Sequence, residues 1–198
     1  SINRNLMKPK VLLFNTTADE LIDVQEYLSA SIYDVTAVTS ELSDISRAAL
    51  SGTVDIIMAV TDKRFDQFFS CIQQINLQNP VPVIVFTYED SRDVIQSAIK
   101  VGVSAYIVDG LQAKRIVSII DTACFRFNEQ QLVKKELEKT KNTLSERKLI
   151  DKAKGIVMQR SNISENDAYK AMRKMAMDKN IKMIELAKSV ISASEILA

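Results

Sequence analysis

From Leu111 to Ala198 the chain contains no proline and a single glycine, Gly155. So long a stretch without breakers has one regular option, the α-helix, because nothing in it ends a helical run except its own caps. All three prolines (Pro9, Pro80, Pro82) and the other three glycines (Gly52, Gly102, Gly110) come earlier. The chain therefore divides into a punctuated front part and a helical rear part.

Charge divides it at nearly the same place. Residues 1–131 hold 11 Lys+Arg against 16 Asp+Glu, a net −5, whereas residues 132–198 hold 15 against 9, a net +6. The overall +1 hides this asymmetry. A basic rear part on an acidic body fits an anionic partner, and equally a solvated lysine-rich helical surface. Histidine is absent, which excludes Ser-His-Asp and Cys-His chemistry and histidine-bound metals. Two cysteines, Cys71 and Cys124, make no disulfide framework. No apolar run approaches the ~18 residues of a membrane span, so a cytoplasmic protein that binds no membrane is expected.

The front part alternates short apolar runs with amphipathic ones. Residues 10–14 (KVLLF), 33–38, 54–60 (VDIIMAV), 82–86 (PVIVF) and 105–108 read as strands. Residues 19–28, 41–50, 64–77, 91–101 and 113–127 read as helices, the fourth closed by Gly102. Five strands alternating with five helices predict an α/β fold with a five-stranded, doubly wound parallel sheet, whose functional face lies at the strands' C-terminal ends. Behind it, residues 128–146 are highly charged, with Val133, Leu137 and Leu144 as a sparse apolar stripe and Thr140 between them. That is a short coiled-coil pattern or a solvated linker helix. Residues 147–198 read as a small three-helix unit. Its first helix has Leu149, Ala153, Ile156 and Val157 on one face. Ser164, three residues before Asp167, starts the second, in which Ala168, Ala171, Met172, Met175 and Ala176 form a small-residue face that Asn180 ends. The third turns Ile184, Ala187, Val190 and Ile191 inward. Gly155 inside a helix costs about 1 kcal/mol relative to Ala, so a close helix–helix contact is expected there.

Five βα units, Thr87 ending the fourth strand and VGVSAYIV at 101–108 resemble a two-component receiver domain of the flavodoxin-like class. That resemblance implies an acidic pair after the first strand for Mg²⁺, a phosphate-accepting Asp ending the third, a Thr or Ser ending the fourth and a Lys ending the fifth. Hard oxygen ligands suit the ion, and a cation offsets an acyl phosphate. Here Asn15, Thr16 and Thr17 come after the first strand, Val60 stands at the acceptor position, and Asp109-Gly110 come after the fifth strand. Only Thr87 remains, so the expectation is a pseudo-receiver that is not phosphorylated and holds no metal. Asp62, two residues past Val60, points to the same side only if the third strand extends.

The rear part carries the stronger resemblance. ERKLIDKAKGIVM (146–158), SENDAYKAMR (164–173), Ala176-Met177 and ELAKSVI (185–191) resemble the ANTAR domain in order and spacing. The chain after Met7 is similar throughout to ANTAR response regulators of the NasT/AmiR type. The resemblance implies a pseudo-receiver over 7–127, a linker helix over 128–146 and an ANTAR domain over 147–198. It implies no enzyme activity and no cofactor, but antitermination: binding of paired hairpins in nascent mRNA leaders, often as a homodimer. It also implies control by a ligand-binding sensor protein, nitrate- or nitrite-responsive, whose docking surface is expected within 91–126. Lys154 and Arg173 match motif positions and are the favoured RNA contacts, followed by Arg147, Lys148, Lys174 and Lys188. Ala153, Gly155, Ala168, Ala176 and Ala187 are expected to pack, and Tyr169 either stacks on a base or packs between helices. The alternatives are a DNA-binding response regulator and a protein-interaction adaptor.

Overall fold

In a computed structural model of the protein the described residues are 8–17, 26–28, 30–62, 65–108 and 113–196. The chain forms two compact units, Ser1–Gln131 and Leu132–Ala198.

The first unit is a parallel sheet of β1 (Lys10–Asn15), β2 (Asp34–Thr39), β3 (Ile56–Val60), β4 (Val83–Thr87) and β5 (Ala105–Val108), in the order β2-β1-β3-β4-β5. Helices α1 (Leu42–Leu50), α2 (Phe65–Gln78), α3 (Arg92–Val101) and α4 (Ala113–Ser161) come after β2 to β5 in turn. The helix expected over 19–28 lies largely outside the described residues, of which 26–28 are helical. Alternation along the strands sends side chains to both faces. Leu12, Phe14, Ile57, Ala59, Val83 and Val85 join the cluster that holds Ile45, Phe68, Ile72 and Ala98 of α1, α2 and α3. Val11, Leu13, Ile56, Met58, Ile84 and Phe86 join the one that holds Ile116, Ile120 and Ala123 of α4. Both faces being covered explains why β3 and β4 read as continuous apolar runs. β3 starts at Ile56, later than the expected 54, although Val54 is still buried. Gly102 ends α3 at φ +89°, and a Cβ there would lie 2.7 Å from the Asn76 amide that itself donates to the Val101 carbonyl. Only glycine fits that stop.

Helix α4 runs unbroken for 49 residues through the boundary at Gln131. In the second unit its last turns meet α5 (Glu165–Asp178) and α6 (Met183–Ile196). Asn162 at φ +50° turns the chain out of α4, and the Ser164 hydroxyl accepts the Asp167 N–H as the N-cap of α5. Asn180, at φ +51°, ends α5. The core joins Ala153 of α4, Met172 and Ala176 of α5, and Leu186, Ala187 and Ile191 of α6. Two expectations fail here. Ala171 and Met175 lie on the exposed side of α5, because the buried stripe runs along the i, i+4, i+8 line of Ala168, Met172 and Ala176 and is too narrow to include them. Leu186, absent from the expected inward set, is buried on α6.

Candidate nucleic-acid interface

The strand order reverses between β1 and β3, and ligands of such sheets collect at the C-terminal edge beside that point. Asn15 ends β1 by folding back on its own loop: its Oδ1 accepts the Thr17 N–H and hydroxyl, each at 2.9 Å, and its Nδ2 donates to the Thr17 carbonyl. The Thr16 and Thr61 hydroxyls meet at 2.8 Å. Val60 pairs with Asn15 and Phe86 and its side chain is buried in the core, so the acceptor position of a receiver holds a hydrocarbon. β3 stops at Val60, so Asp62 does not gain its position from an extended strand. It sits in the next loop, where its Oδ1 accepts the Thr87 hydroxyl at 2.7 Å and the Tyr88 N–H at 2.6 Å. Thr87 is buried and its oxygen also accepts the Glu89 N–H, while the Tyr106 hydroxyl donates to the Glu89 carbonyl. Burial pushes the Tyr106 phenol up. Asp109 lies outside the described residues. Among the described residues no group of three His, Cys, Asp or Glu side chains is placed to hold a metal ion. What the edge does hold is a run of internal hydrogen bonds in which the Thr87 hydroxyl donates to a carboxylate of the same chain.

In the second unit, Lys154 reaches from α4 to Glu165 in the first turn of α5 at 2.7 Å and to Asp151 one turn back at 2.9 Å. Its side chain is 17% exposed. The hydrogen bond to Glu165, then that to Asp151, raises its pKa, and the Lys154 bond holds the Asp151 carboxyl below its usual range. Lys154 therefore ties two helices together with a charge that two carboxylates already offset. Arg173, Lys174, Lys188, Arg147 and Lys148 are different: all are exposed, and none makes an ion pair among the described residues. On α5, Lys170, Arg173 and Lys174 lie at i, i+3 and i+4, away from the Ala168–Met172–Ala176 stripe. Arg147 and Lys148 sit about two turns before Lys154 on α4, and Lys188 is on α6.

Of the residues expected to pack, Ala153, Ala168, Ala176 and Ala187 are buried. Gly155 departs from its expectation, because a Cβ built on it meets nothing within 4 Å. Its bare backbone is not demanded by a neighbouring helix within the described fold. Gly155→Ala is accordingly expected to stabilise the unit by roughly 0.5–1 kcal/mol through restored helix propensity, read as a raised thermal midpoint. A lowered midpoint would reveal crowding.

Tyr169 is 45% exposed, with no ring contact and no hydrogen bond to its hydroxyl among the described residues. It lines a surface notch of about 420 Å³ with Lys154, Glu165 and Asn166. Glu165 and Asn166 escape a reading of charge and motif spacing. The one available signal is an acidic residue directly after the Ser164 cap, where a helix N-terminus favours negative charge.

Residues 138–191 match the ANTAR domain family. The chain carries a C-terminal ANTAR domain. Over 92% of its length it is 26% identical to the transcriptional regulatory protein PdtaR of Mycobacterium tuberculosis, covering 89% of that protein. A 65-residue stretch is 43% identical to the nitrate regulatory protein of Klebsiella oxytoca, covering 33% of this chain and 16% of that one. These relatives are regulatory proteins. In front of the ANTAR domain the fold is that of a receiver: a two-component response regulator from Clostridium difficile superposes with a TM-score of 0.53 at 15% identity, over 61% of this chain and 98% of that one. No helix among the described residues is long and apolar enough to cross a membrane.

Proposed function

We propose that this protein is a transcription antitermination regulator whose ANTAR domain binds paired hairpins in nascent mRNA leaders. The observation that carries this is the ANTAR match on a unit in which Arg173 foremost, and Lys174, Lys188, Arg147 and Lys148 with it, are exposed and have no internal ion-pair partner among the described residues. A terminator hairpin competes with other folds of the same transcript, so a protein that binds one fold shifts the equilibrium toward it without chemistry. Unpaired loop bases and flanking phosphates are what sequence-specific RNA readers grip. Lys154 is assigned a structural tie, and Arg173, Lys174, Lys170, Arg147, Lys148 and Lys188 the phosphate contacts.

The test is a gel-shift titration across salt, with the full chain against looped RNA hairpins, fully paired RNA and duplex DNA of equal length. Preference for looped RNA that persists at about 150 mM salt supports the reading. Equal affinity for duplex DNA, or loss of all preference as salt rises, overturns it.

Control is assigned to a ligand-binding sensor protein docking on the pseudo-receiver within residues 91–126, and the likeness to a nitrate regulatory protein supports a nitrate- or nitrite-responsive sensor. Action on nascent transcripts implies a cytoplasmic protein. Phosphoryl transfer is not the switch: incubation with acetyl phosphate and Mg²⁺ is expected to leave Asp62 unmodified, checked by intact mass and by trapping of acyl phosphate with hydroxylamine. The reasons are Val60 at the acceptor position and the prior hold of Asp62 on Thr87. The exposed stripe of Val133, Leu137 and Leu144 on α4 supports a homodimer seam.

A further inference from the structure

The notch between α4 and α5 has a composition that phosphate does not explain. Lys154 on its rim is matched by Glu165 and Asp151, so the local charge is not positive and an anion gains little there. The other two lining residues are Asn166 and Tyr169. The Asn166 carboxamide makes no hydrogen bond among the described residues and keeps both a donor and an acceptor available. The Tyr169 ring is 45% exposed, and an aromatic face is costly to leave in water unless something covers it. Asn166 and Tyr169 are three residues apart on α5, hence on one side of it, and Arg173 lies one turn beyond Tyr169.

The geometry points to a nucleobase notch: one unstacked RNA base lies on the Tyr169 ring with its edge against the Asn166 amide, while Arg173 one turn on takes the adjacent phosphate. Stacking needs a π face and no charge, which the tyrosine supplies. Edge recognition needs a paired donor and acceptor, which a carboxamide supplies in one plane. The Lys154–Glu165 pair holds the two helices at the spacing that leaves the notch open. This deepens the RNA reading and rests on it. It adds which residues meet a base rather than the backbone, and it assigns Tyr169 to the ligand rather than to the helix interface.

The experiment uses the full chain and a hairpin pool with a constant stem and a randomised loop. Hairpins enriched by the wild-type chain are resynthesised with each loop nucleotide in turn made abasic. Affinities are then measured for wild type, Tyr169→Ala, Tyr169→Phe and Asn166→Ala. One abasic position is expected to weaken wild-type binding about tenfold, the scale of an absent stacking partner. Tyr169→Ala is expected to lose about as much on the intact loop and nothing further on that abasic loop, while Tyr169→Phe keeps near wild-type affinity. Because Tyr169 is exposed, the variants are expected to melt with the parent, which a thermal scan checks. Losses that add at every loop position, or Tyr169→Ala binding like wild type, overturn the notch while leaving RNA binding intact. A wild-type chain that enriches no hairpin overturns the RNA reading and the notch with it.

Discussion

Reversing the charge of Lys170, Arg173 and Lys174 together is expected to weaken hairpin binding by roughly 100-fold or more at about 150 mM salt, since three phosphates go without their cations and meet repulsion instead. The slope of log affinity against log salt is expected to flatten by about 0.7–0.9 for each phosphate no longer neutralised. Both effects come from the same arrangement: these side chains lie off the buried stripe of α5, are exposed, and have no carboxylate partner among the described residues. Their exposure also predicts that the thermal midpoint stays close to wild type, since substitutions at such sites usually change stability by about 0.5 kcal/mol or less. Lys154→Ala is expected to behave oppositely. It frees Asp151 and Glu165, loosens the packing of α4 on α5 and lowers the thermal midpoint, and its RNA affinity falls through the distorted notch rather than through a missing phosphate partner. A salt slope unchanged in Lys154→Ala but flattened in the triple variant separates the two roles. A triple variant that binds RNA like wild type would sink the assignment of this face.

The paired substitution Leu137→Lys and Leu144→Lys is expected to convert a dimer to a monomer at micromolar concentration, measured by sedimentation equilibrium. Leu137 and Leu144 are 51% and 55% exposed in the single chain, and Val133 is 65% exposed. With Thr140 they keep the four-three-four spacing that holds one seam against a partner helix. Fully burying a leucine contributes roughly 1.5–3 kcal/mol, and these are already about half covered, so the four that a twofold dimer buries contribute about 3–6 kcal/mol and their replacement by ammonium groups is expected to weaken association by about 1000-fold. The helix itself survives, because lysine is a good helix former. If the unsubstituted chain already sediments as a monomer, the apolar stripe of α4 has another partner.

Much of the fold was legible because its signals are local. Apolar runs of strand length between helix-length amphipathic ones dictate a parallel sheet, and the absence of breakers after Leu111 dictates helices. The Ser164 cap and the Gly102 stop act within a few residues of themselves, and they stand where the spacing puts them. Which residues close the strands was legible for the same reason: Asn15, Val60 and Thr87 are fixed once the strands are, since register decides which residues stand at each strand's end.

A one-dimensional pattern leaves open which groups meet across elements. Asp62 looks like a displaced acceptor in sequence, yet it bonds to Thr87, 25 residues on, because β3 and β4 are neighbours. Gly155 reads as a packing residue because it interrupts a helix, and only the arrangement of α4, α5 and α6 leaves its outer side open.

The sequence alone determined the two-part architecture, the residues that close the strands and the basic character of the rear helices, because composition, period and motif order are properties of neighbours along the chain. Tertiary structure alone decided that Lys154 is an internal tie, that Tyr169 faces solvent and that Met175 lies off the core. Each depends on where one helix lies against another, and helical periodicity names a face without naming what that face will touch.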